Sequence, residues 1–499
     1  MSNSNPLLLI PVENQVRELD PKLLLACIAA RQGFSSVIGS RRELEFRIDS
    51  YPRSIYLSKS MTRRNLIFFR IARKFGHDIV TWDEEALVHL PPETYFSCRL
   101  HPEAIRHVSH LFAWGRDNVE LWRHYAHLPE DIPIHSTGNP RNDMLRPEMH
   151  PFYEEEVQAL RHKYGDFILI NTNFNHVNAF GPDMNLFQPV NKPGEPAKFG
   201  RAARGMSREY AQGLWDHKQA VFKSFQQLLP KLDQAFPDLN IIVRAHPTER
   251  HDVYKDIAAR CSRVHVTNEG NVVPWILATR VVLHNGCTTG VEAFVMGVPA
   301  ISYRESVDEN YDNGFYRLPN AVSHQCFNFE QLQDMIHQIL AGKLGVAAGD
   351  EPQKMVKRYL TSRDGPLDCE RMVEVLASMA TEQNKNTRLS LWDRLQRRFI
   401  ADGYHLYKRL KPKLPGSHNR PEFQKHRYPG IGLNAFKKKN RTYSTDSKIY
   451  QQVKSRTTQR GTLSNIGLKS KKAFCGPTVF TGGTTVNMEN QQVYKDIER

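Results

Sequence analysis

Short apolar runs alternate with helical patterns along the first third of the chain. The runs predict strands at 7–12, 35–39, 54–58, 78–82, 110–115 and 134–139. The segment from Asp20-Pro21 to Ala30 predicts a helix, with Asp20 as its cap and Pro21 at its first position. Strands that alternate with helices are typical of a parallel sheet covered by helices on both faces.

The same alternation restarts after an acidic helical segment near 153–163. It predicts a long helix at 207–232 and strands at 167–173, 239–247, 281–285 and 300–303. The loop 174–206 is longer than most connections, so we expect it to be functional or mobile. The predicted fold is α/β, with two Rossmann-like parallel-sheet domains, 1–150 and 151–380, that face a cleft. In such sheets ligands bind beyond the carboxyl ends of the strands.

The positive charge of the chain is confined to its last fifth. The whole sequence has a net charge of +15, from 68 Lys+Arg and 53 Asp+Glu. Residues 401–499 hold 20 of the basic and 6 of the acidic residues, a net of +14, which leaves 48 minus 47, or +1, for residues 1–400. A nearly neutral body argues against nucleic acid as a partner of the folded domains.

Residues 381–499 form a third region, a basic amphipathic helix followed by a largely disordered tail. The helical segment 388–414 places six apolar residues near one face and five basic ones among and opposite them: Leu389, Trp392, Leu395, Phe399, Leu406 and Leu410, with Arg394, Arg397, Arg398, Lys408 and Arg409. Such a helix suits an anionic membrane surface. A helix that packs on the body explains 388–400 equally well. Beyond Pro415 few residues are aliphatic, so we expect disorder.

The chain lacks the signals of a membrane-spanning or exported protein. No stretch approaches the roughly 18–20 apolar residues needed to cross a bilayer, and the first apolar run is too short for a signal peptide. We therefore expect a cytoplasmic protein, with the basic helix on the cytoplasmic membrane face. The seven cysteines are scattered and form no CxxC pair, which favours reduced thiols and indicates neither a zinc site nor a disulfide framework.

A strand that ends in small and hydroxyl residues predicts a phosphate site. Asn285 and Gly286 follow the apolar run, and Thr288, Thr289 and Gly290 then begin a helix. Unpaired N–H groups at a helix N-terminus, with hydroxyls and glycines beside them, bind anions. Glu292, one turn on, is a candidate acceptor for a ribose hydroxyl. A strand–helix turn capped by threonine, with no ligand, explains the same residues.

The sequence RAHP supplies a second candidate at the end of a predicted strand. Arg244 would neutralise a phosphate, and His246 would donate to a phosphate oxygen or protonate a leaving group. Pro247 fixes the exit of the loop. A His-Pro turn at the surface, with no role in binding or catalysis, explains the same residues. The expected proximity to the Thr288 turn on a neighbouring strand favours the functional interpretation.

Acidic residues follow the strand at 78–82 and predict a general base. Glu84 and Glu85 are the candidates, with Asp83 behind them. A solvated helix N-terminus explains three consecutive carboxylates as well. The polar loop 13–18, at the end of the first strand, is a second candidate lining of the cleft.

Four segments together resemble the bacterial surface carbohydrate biosynthesis protein family. They are PVENQVRELDPKLLLACIAARQGF, DEEAL, TGNPRND and HNGCTTGVEAFVMGVPAISY, and the likeness covers roughly residues 6–378. Distant relatives of that family resemble GT-B glycosyltransferases, including sialyl- and Kdo-transferases. The resemblance implies a catalytic base at Glu84 or Glu85, a contact of His246-Pro247 with the cytidine monophosphate of the donor, and a phosphate held by Thr288-Thr289. Ala86 stands where that group commonly has Gly, and Thr288-Thr289 where Ser is common.

Taken together, these expectations predict a glycosyltransferase of surface polysaccharide biosynthesis that works without a metal ion. The donor would be a nucleotide-sugar, CMP-linked and acidic as the resemblance implies, the acceptor a saccharide or a lipid-linked saccharide, and no other cofactor is expected. No DxD-type carboxylate pair precedes a plausible metal site, so we expect no metal requirement. Three alternatives remain open: a CDP-glycerol-type glycerophosphotransferase, a UDP-sugar 2-epimerase, and a non-enzymatic basic protein that binds membrane or RNA.

Overall fold

The structure, a computed structural model, divides into two compact units that are described separately. It describes residues 5–190, 197–312, 314–361, 364–383, 391–410, 424–425, 427–443, 478–481, 484–486 and 493–495. The first unit comprises 1–86, 99–152 and 359–499, and the second comprises 87–98 and 153–358.

The strands of the first unit are β1 (Leu7–Val12), β2 (Ser35–Ser40), β3 (Ser54–Ser58), β4 (Asp78–Thr81), β5 (His110–Phe112), β6 (Ile134–His135), β13 (Thr478–Thr481), β14 (Thr484–Val486) and β15 (Val493–Lys495). Those of the second unit are β7 (Phe167–Asn171), β8 (Asn240–Arg244), β9 (Val264–Val266), β10 (Val281–His284), β11 (Ala300–Tyr303) and β12 (His324–Cys326).

The helices are α1 (Gln15–Arg31), α2 (Arg41–Phe46), α3 (Leu66–Lys74), α4 (Pro92–Arg99), α5 (Pro102–Ile105), α6 (Arg116–Arg123), α7 (Pro140–Asp143), α8 (Glu154–Tyr164), α9 (Arg208–Ala235), α10 (Asp252–Ala258), α11 (Val272–Ala278), α12 (Thr288–Met296), α13 (Gly314–Ala321), α14 (Phe329–Leu340), α15 (Asp350–Tyr359), α16 (Asp368–Gln383), α17 (Leu391–Leu410) and α18 (Leu433–Tyr443). Short 3-10 helices lie at Ile48–Ser50, Arg63–Asn65, Pro147–Tyr153 and Pro182–Met184.

The first unit is built on a sheet of order β15-β14-β13-β2-β1-β3-β4-β5-β6. Strands β2, β1, β3, β4, β5 and β6 are parallel, as the alternation of strands and helices predicts. Strand β13 joins β2 in parallel, and β14 and β15 continue antiparallel. The strands with longer apolar runs, β1 and β3, lie centrally, where both faces of a parallel sheet are covered.

Helix α1 begins earlier than the sequence predicts. It starts at Gln15, so that Asp20 and Pro21 lie inside the helix and do not form its cap. The carboxylate of Glu18 accepts the backbone N–H groups of Glu13 (2.9 Å) and Asn14 (3.2 Å). A side chain that reaches back in this way satisfies donors at the helix start, which stabilises the earlier beginning.

The second unit has a six-stranded parallel sheet of order β12-β11-β10-β7-β8-β9. Its core packs apolar residues of β7, β8 and β10 against the apolar stripe of α9. Strand order reverses between β7 and β10, because the chain first adds β8 and β9 on one side and then crosses over to the other. The predicted α/β class, with a Rossmann-like parallel sheet in each unit, is confirmed.

The motif TGNPRND ties a C-terminal helix to the first unit. The Asp143 carboxylate accepts the backbone N–H groups of Asp368 (2.7 Å) and Cys369 (2.8 Å), at the start of α16. Burial raises the pKa of Asp143 to about 6. Gly138 has a φ of +85°, and a Cβ there would overlap the Asp368 carboxylate. Residues 359–380, which the sequence analysis assigns to the second domain, therefore pack with the first.

Part of the tail that the sequence predicts to be disordered is a helix packed on α1. Phe436 and Tyr443 of α18 are buried, and Tyr443 stacks on Phe152 at 4.9 Å. Lys439 Nζ donates to Asp20 at 3.0 Å, so basic residues of the tail dock on acidic residues of the body. Strands β13, β14 and β15 also lie in the region that the sequence predicts to be disordered. Residues 415–423, 426, 444–477, 482–483, 487–492 and 496–499 lie outside the described residues.

Candidate functional site

Three neighbouring strands of the second unit end at one edge of the sheet. In the register of β8, β7 and β10, Arg244 lies beside Asn171, and Asn171 lies beside His284. The turns that follow, at 245–247, 172–174 and 285–287, therefore leave the sheet at the same edge, within roughly 10 Å of each other because adjacent strands are about 4.8 Å apart. Their meeting point is the place where strand order reverses, at which ligands of such sheets bind.

The turn after β10 leads directly into the N-terminus of α12. Cys287 is the N-cap residue, and its side chain makes no capping hydrogen bond among the described residues. Thr288 and Thr289 are half-buried, and the Thr289 hydroxyl contacts the Cys287 thiol, whose pKa burial raises to about 11. The Gly290 N–H donates to the Cys287 carbonyl at 3.1 Å, and binding of an anion by the first N–H groups of α12 stays a prediction.

Two buried amides lie at this edge with unsatisfied polar atoms. The carbonyl oxygen Oδ1 of Asn285 and the amide nitrogen Nδ2 of Asn171 have no hydrogen-bond partner among the described residues. Both residues are buried. A buried polar atom without a partner costs about 1–3 kcal/mol, so each favours a ligand that supplies the missing hydrogen bond. Glu292 is also buried, one turn into α12, and its ribose contact stays a prediction.

The two glycines of this turn are required by side chains of the protein itself. Gly286 has a φ of +81°, and a Cβ there would overlap the ring of Tyr316. A Cβ on Gly290 would overlap the ring of His284, which is fully buried. The sequence analysis attributes both glycines to close approach of the backbone to a phosphate. The structure assigns them to packing and to the turn conformation.

His284 holds the turn in a neutral, fixed form. Its Nδ1 accepts the Gly286 N–H at 2.9 Å, and its Nε2 lies 2.9 Å from the Ser323 hydroxyl. An Nδ1 that accepts a backbone N–H carries no proton, so the ring is the Nε2–H tautomer. Burial lowers the pKa of His284 to about 3, which keeps the ring uncharged at neutral pH.

His246 is half-buried on the turn after β8, with one ring nitrogen held in place. Nδ1 accepts the Thr248 N–H at 3.3 Å and lies 2.8 Å from the Thr248 hydroxyl. The neutral ring therefore carries its proton on Nε2, which is the nitrogen that can donate to a ligand. Pro247 beside it is half-buried.

Glu249 fastens this turn to the end of β7. One carboxylate oxygen accepts the Thr172 hydroxyl (2.9 Å), the Phe174 N–H (2.9 Å) and the His246 N–H (3.2 Å). The other accepts the Tyr254 hydroxyl at 2.7 Å. Burial raises the pKa of Glu249. The sequence analysis missed this residue, although an acidic residue three positions after His246 was a signal that something anchors the turn.

Arg244 does not reach into the turn where the sequence analysis places its charge. Its guanidinium donates to the backbone carbonyls of Glu269 (2.7 Å) and Gly270 (3.0 Å) and lies over the Trp275 ring at 4.7 Å. Burial lowers its pKa to about 9. The interpretation of Arg244 as the phosphate cation therefore conflicts with its geometry, because the strand turns this side chain toward α11.

A different cation, Lys218 of α9, lies next to the Gly286 turn. Its Nζ donates to the Tyr316 hydroxyl, on the same ring that contacts Gly286, and the lysine is buried. Burial and, to a lesser extent, the charges of Lys218 and His246 lower the pKa of His176 to about 3, so the three groups share one electrostatic environment. The Nδ1 atom of His176 is buried without a hydrogen-bond partner among the described residues.

Lys218 and His176 escaped the sequence analysis for different reasons. Lys218 lies between Leu214 and Phe222 on the apolar stripe of α9. A charged residue at such a core position is the feature of the sequence that could have identified it as a site residue. His176 lies in the irregular loop 174–206, where no periodicity marks it. That loop packs on the first turns of α9 through a small apolar cluster that includes Leu186 and Leu214, and its residues 191–196 lie outside the described part.

The glycine geometry gives a testable contrast between the two ends of α12. Gly286→Ala must place an alanine at φ +81° and displace Tyr316, which holds Lys218. Gly297→Ala, at φ +76° with open space around it, is the matched control and costs roughly 1–2 kcal/mol for the left-handed conformation alone. We expect Gly286→Ala to lower the free energy of unfolding further and to weaken nucleotide binding as well. Urea unfolding and nucleotide titration measure both; equal losses for the two variants contradict this account.

In the first unit, the predicted acidic cluster separates into three different environments. Asp83 is fully buried, and its carboxylate binds the Arg99 guanidinium (Nε–Oδ2 3.0 Å) and the Glu85 N–H (3.2 Å). Glu85 is exposed and lies 3.7 Å from Arg17. Residues 83–88 form turns, not the start of a helix, so the solvated helix N-terminus does not explain them.

Glu84 is the buried member of the cluster. Its Oε1 accepts the Trp82 indole N–H at 2.9 Å, and its Oε2 lies 3.8 Å from Arg141 Nη1. Oε2 is buried and has no hydrogen-bond partner among the described residues. A carboxylate oriented by one hydrogen bond and one ion pair, with no hydrogen bond to its second oxygen among the described residues, is compatible with a general base, and that role stays a prediction.

The polar loop after β1 belongs to a buried ionic network. Glu13 and Glu18 both bind Lys59 at 2.7 Å, and Arg427 of the tail binds Glu13 at 3.1 Å. Burial alone would raise the pKa of Glu13, but Lys59, Arg427 and Arg41 hold it well below the usual range. These side chains are therefore paired within the protein, and the tail covers part of the edge that the sequence analysis leaves open to a ligand.

No three His, Cys, Asp or Glu side chains are grouped to hold a metal ion in the part of the chain that the structure describes. The described cysteines are free thiols, and most of them are buried.

No family model matches the chain, and no curated protein is similar to it in sequence. Among solved structures it is similar to the H548A variant of the wall teichoic acid polymerase TagF, with a TM-score of 0.46 and 12% identity over 77% of this chain and 91% of that chain. It is similar to HepE from Anabaena in complex with UDP-glucose (TM-score 0.40, 11% identity, 75% and 100%). It is also similar to the UDP-GlcNAc 2-epimerase of Methanocaldococcus jannaschii (TM-score 0.40, 11% identity, 74% and 99%). Likenesses of this extent assign no activity.

Proposed function

We propose that the protein is a nucleotide-sugar-dependent glycosyltransferase whose second unit binds the donor. The observation that carries the proposal is the anion site at the start of α12, with its buried neighbour Lys218. The site lies where strand order reverses and combines helix N–H groups, the unsatisfied amide nitrogen Nδ2 of Asn171 and the buried cation Lys218. The unsatisfied Oδ1 of Asn285 is an acceptor, so it would take a hydroxyl of the donor and not the phosphate. A nucleotide phosphate has the charge and the acceptor oxygens that this arrangement lacks.

The proposed reaction needs a general base and a set of groups that stabilise the leaving phosphate. Glu84 takes the proton of an acceptor hydroxyl, whose oxygen attacks the anomeric carbon of the donor sugar. The bond from that carbon to the phosphate oxygen breaks, and its electron pair leaves with the nucleotide. The N–H groups of α12, Lys218 and the Nε2–H of His246 stabilise the charge that develops on the phosphate, since fixed donors and cations lower such barriers without reorganising.

The phosphate site explains how the leaving nucleotide is stabilised, but it does not determine which group is transferred. The motif resemblance favours a CMP-linked acidic sugar and a product on the cell surface. CDP-glycerol presents a phosphate to the same site, so a glycerophosphotransferase remains the second candidate. Because Lys218 supplies a fixed positive charge beside the site, we propose that the reaction needs no metal ion.

A donor screen in the presence of EDTA tests the proposed function. We expect transfer from a CMP-sugar to a saccharide acceptor, undiminished by EDTA, and a raised melting temperature with CMP or CDP, because a ligand of the native state stabilises it. Lys218→Met should abolish the thermal shift, while Lys223→Met, at an exposed position of the same helix, should keep it. Rescue of an EDTA-treated protein by Mg²⁺ contradicts the metal-free reaction. Conversion of a UDP-sugar without acceptor identifies an epimerase, and no nucleotide binding at all overturns the proposal.

A further inference from the structure

Helix α17 lies on the first unit by its polar face. Lys408 Nζ binds Glu45 at 2.6 Å, and His405 Nε2 lies 3.0 Å from both the Phe46 carbonyl and the Asp49 carboxylate. The His405 ring stacks on Phe46 at 4.7 Å. Tyr404 and Ala401, on the same side of the helix, are buried. Ion pairs and a ring contact therefore fix the orientation of α17 on α2.

The opposite face of α17 carries large apolar side chains in the open. Phe399 is 86% exposed, Leu406 59% and Leu410 51%. Spacings of seven and four residues place the three on one face of the helix. A surface helix normally buries its apolar stripe against the core. Helix α17 does the opposite, because its polar face packs on the body and its apolar stripe faces away from it. The sequence analysis left open whether α17 packs on the body or meets a membrane; the structure shows packing by the polar side, with the apolar stripe free of the core.

The segment that carries this stripe is basic in sequence, although the exposed Asp402 lies on the same face as the stripe and Lys408 is paired with Glu45. Arg409 is exposed next to Leu410, and residues 391–413 contain seven Lys+Arg against two Asp, a net of +5. Leu389 and the side chains of Trp392, Arg394, Leu395, Arg397 and Arg398 lie outside the described residues. A second copy of this chain would bring the same charge against it, which disfavours self-association through α17. An anionic surface with an apolar interior matches both properties.

We propose that the exposed face of α17, formed by Phe399, Leu406 and Leu410, docks the protein onto an anionic lipid bilayer. The three side chains enter the boundary between headgroups and acyl chains, and Arg and Lys side chains of the same segment bind the anionic headgroups. None of the described helices is long and apolar enough to cross a bilayer, so α17 would lie in the interface. This inference is independent of the proposed transferase activity.

Vesicle co-sedimentation of the full chain tests the docking. We expect the wild type to bind vesicles with about 30 mol % phosphatidylglycerol, to bind phosphatidylcholine vesicles weakly, and to dissociate as salt is raised. Phe399→Gln with Leu406→Gln should weaken binding by about tenfold or more, because it removes the apolar contact but leaves the charge. Ile67→Gln, at a residue of α3 that is 51% exposed, is the matched control and should bind like the wild type.

Several outcomes separate this docking from its competitors. An unchanged melting temperature shows that the double variant folds, as expected for side chains that face solvent. Equal binding by the double variant and the wild type overturns the proposal, as does equal binding to neutral and anionic vesicles. If analytical ultracentrifugation shows an oligomer that the double variant loses, α17 is a protein interface. Transfer to a water-soluble acceptor should be the same in all three proteins.

Discussion

His246→Ala is expected to lower the turnover number of sugar transfer by about two to four orders of magnitude. The Thr248 N–H fixes Nδ1 as an acceptor, so the proton lies on Nε2, and alanine removes that donor. His246 is half-buried, and its ring bonds to Thr248, a neighbour two residues on, so we expect the free energy of unfolding to change by about 1 kcal/mol. Steady-state kinetics and urea unfolding of the same preparation give both quantities.

Two further variants separate the possible roles of this imidazole. His246→Gln keeps an N–H near the position of Nε2, so it should recover part of the lost rate if the ring only donates a hydrogen bond. If the ring transfers a proton, the glutamine variant should be as slow as the alanine variant, and the acidic or basic limb of the pH–rate profile should disappear in both. His162→Ala, at an exposed position of α8, is the control. Wild-type turnover of His246→Ala would exclude a direct role.

Local patterns were sufficient to predict β1 to β8, β10 and β11 and the edge at which they end, but not β9, β12 or the tail strands β13, β14 and β15. Strands β1, β3 and β11 have the predicted bounds, because each is a short apolar run between polar turns. The carboxyl ends of β8 and β10 lie at one edge, which followed from treating both as parallel strands of a single sheet. Topology of this kind can be predicted from the alternation of strands and helices along the chain.

Side-chain direction was not predictable from the same patterns. Arg244 and His246 are two residues apart, yet Arg244 stacks on Trp275 of α11 and His246 bonds to the turn that follows the strand. Conversely, Lys218 comes from a helix about 70 residues away in sequence from Gly286 and meets it only through Tyr316. Such contacts depend on tertiary packing, which no spacing within one segment encodes.

In the basic tail too, tertiary contacts were not predictable from the sequence, because composition alone was used. The low aliphatic content predicted disorder beyond Pro415, but α18 packs on the first unit with Phe436 and Tyr443 buried and Lys439 paired with Asp20 of α1. Arg427, which precedes α18, pairs with Glu13 before α1. A prediction from average composition treats these charged side chains as exposed to solvent. Their partners lie more than 400 residues earlier in the chain, so the stabilising pairs appear only once the fold is formed.

The acidic cluster of the first unit allows a direct comparison of neighbouring carboxylates. Glu84→Gln should lower the turnover number by about two to four orders of magnitude, since an amide cannot take the proton of the acceptor hydroxyl. Glu85→Gln removes the charge of an exposed carboxylate that pairs with Arg17, an interaction worth about 1 kcal/mol or less, and should change turnover by about fivefold at most. Rates at saturating donor and acceptor measure both variants.

The position of Glu84 also predicts what its substitution leaves intact. The glutamine carbonyl can still accept the Trp82 N–H, while its amide nitrogen faces Arg141, so we expect a modest loss of stability of about 1–2 kcal/mol. In the proposed function the nucleotide binds to the second unit, so the thermal shift with CMP or CDP should be unchanged in Glu84→Gln and lost in Lys218→Met. A variant that loses turnover but keeps the nucleotide identifies Glu84 with the acceptor step. If Glu85→Gln is the slow enzyme instead, the unsatisfied Oε2 of Glu84 has a structural cause and the base is the exposed carboxylate.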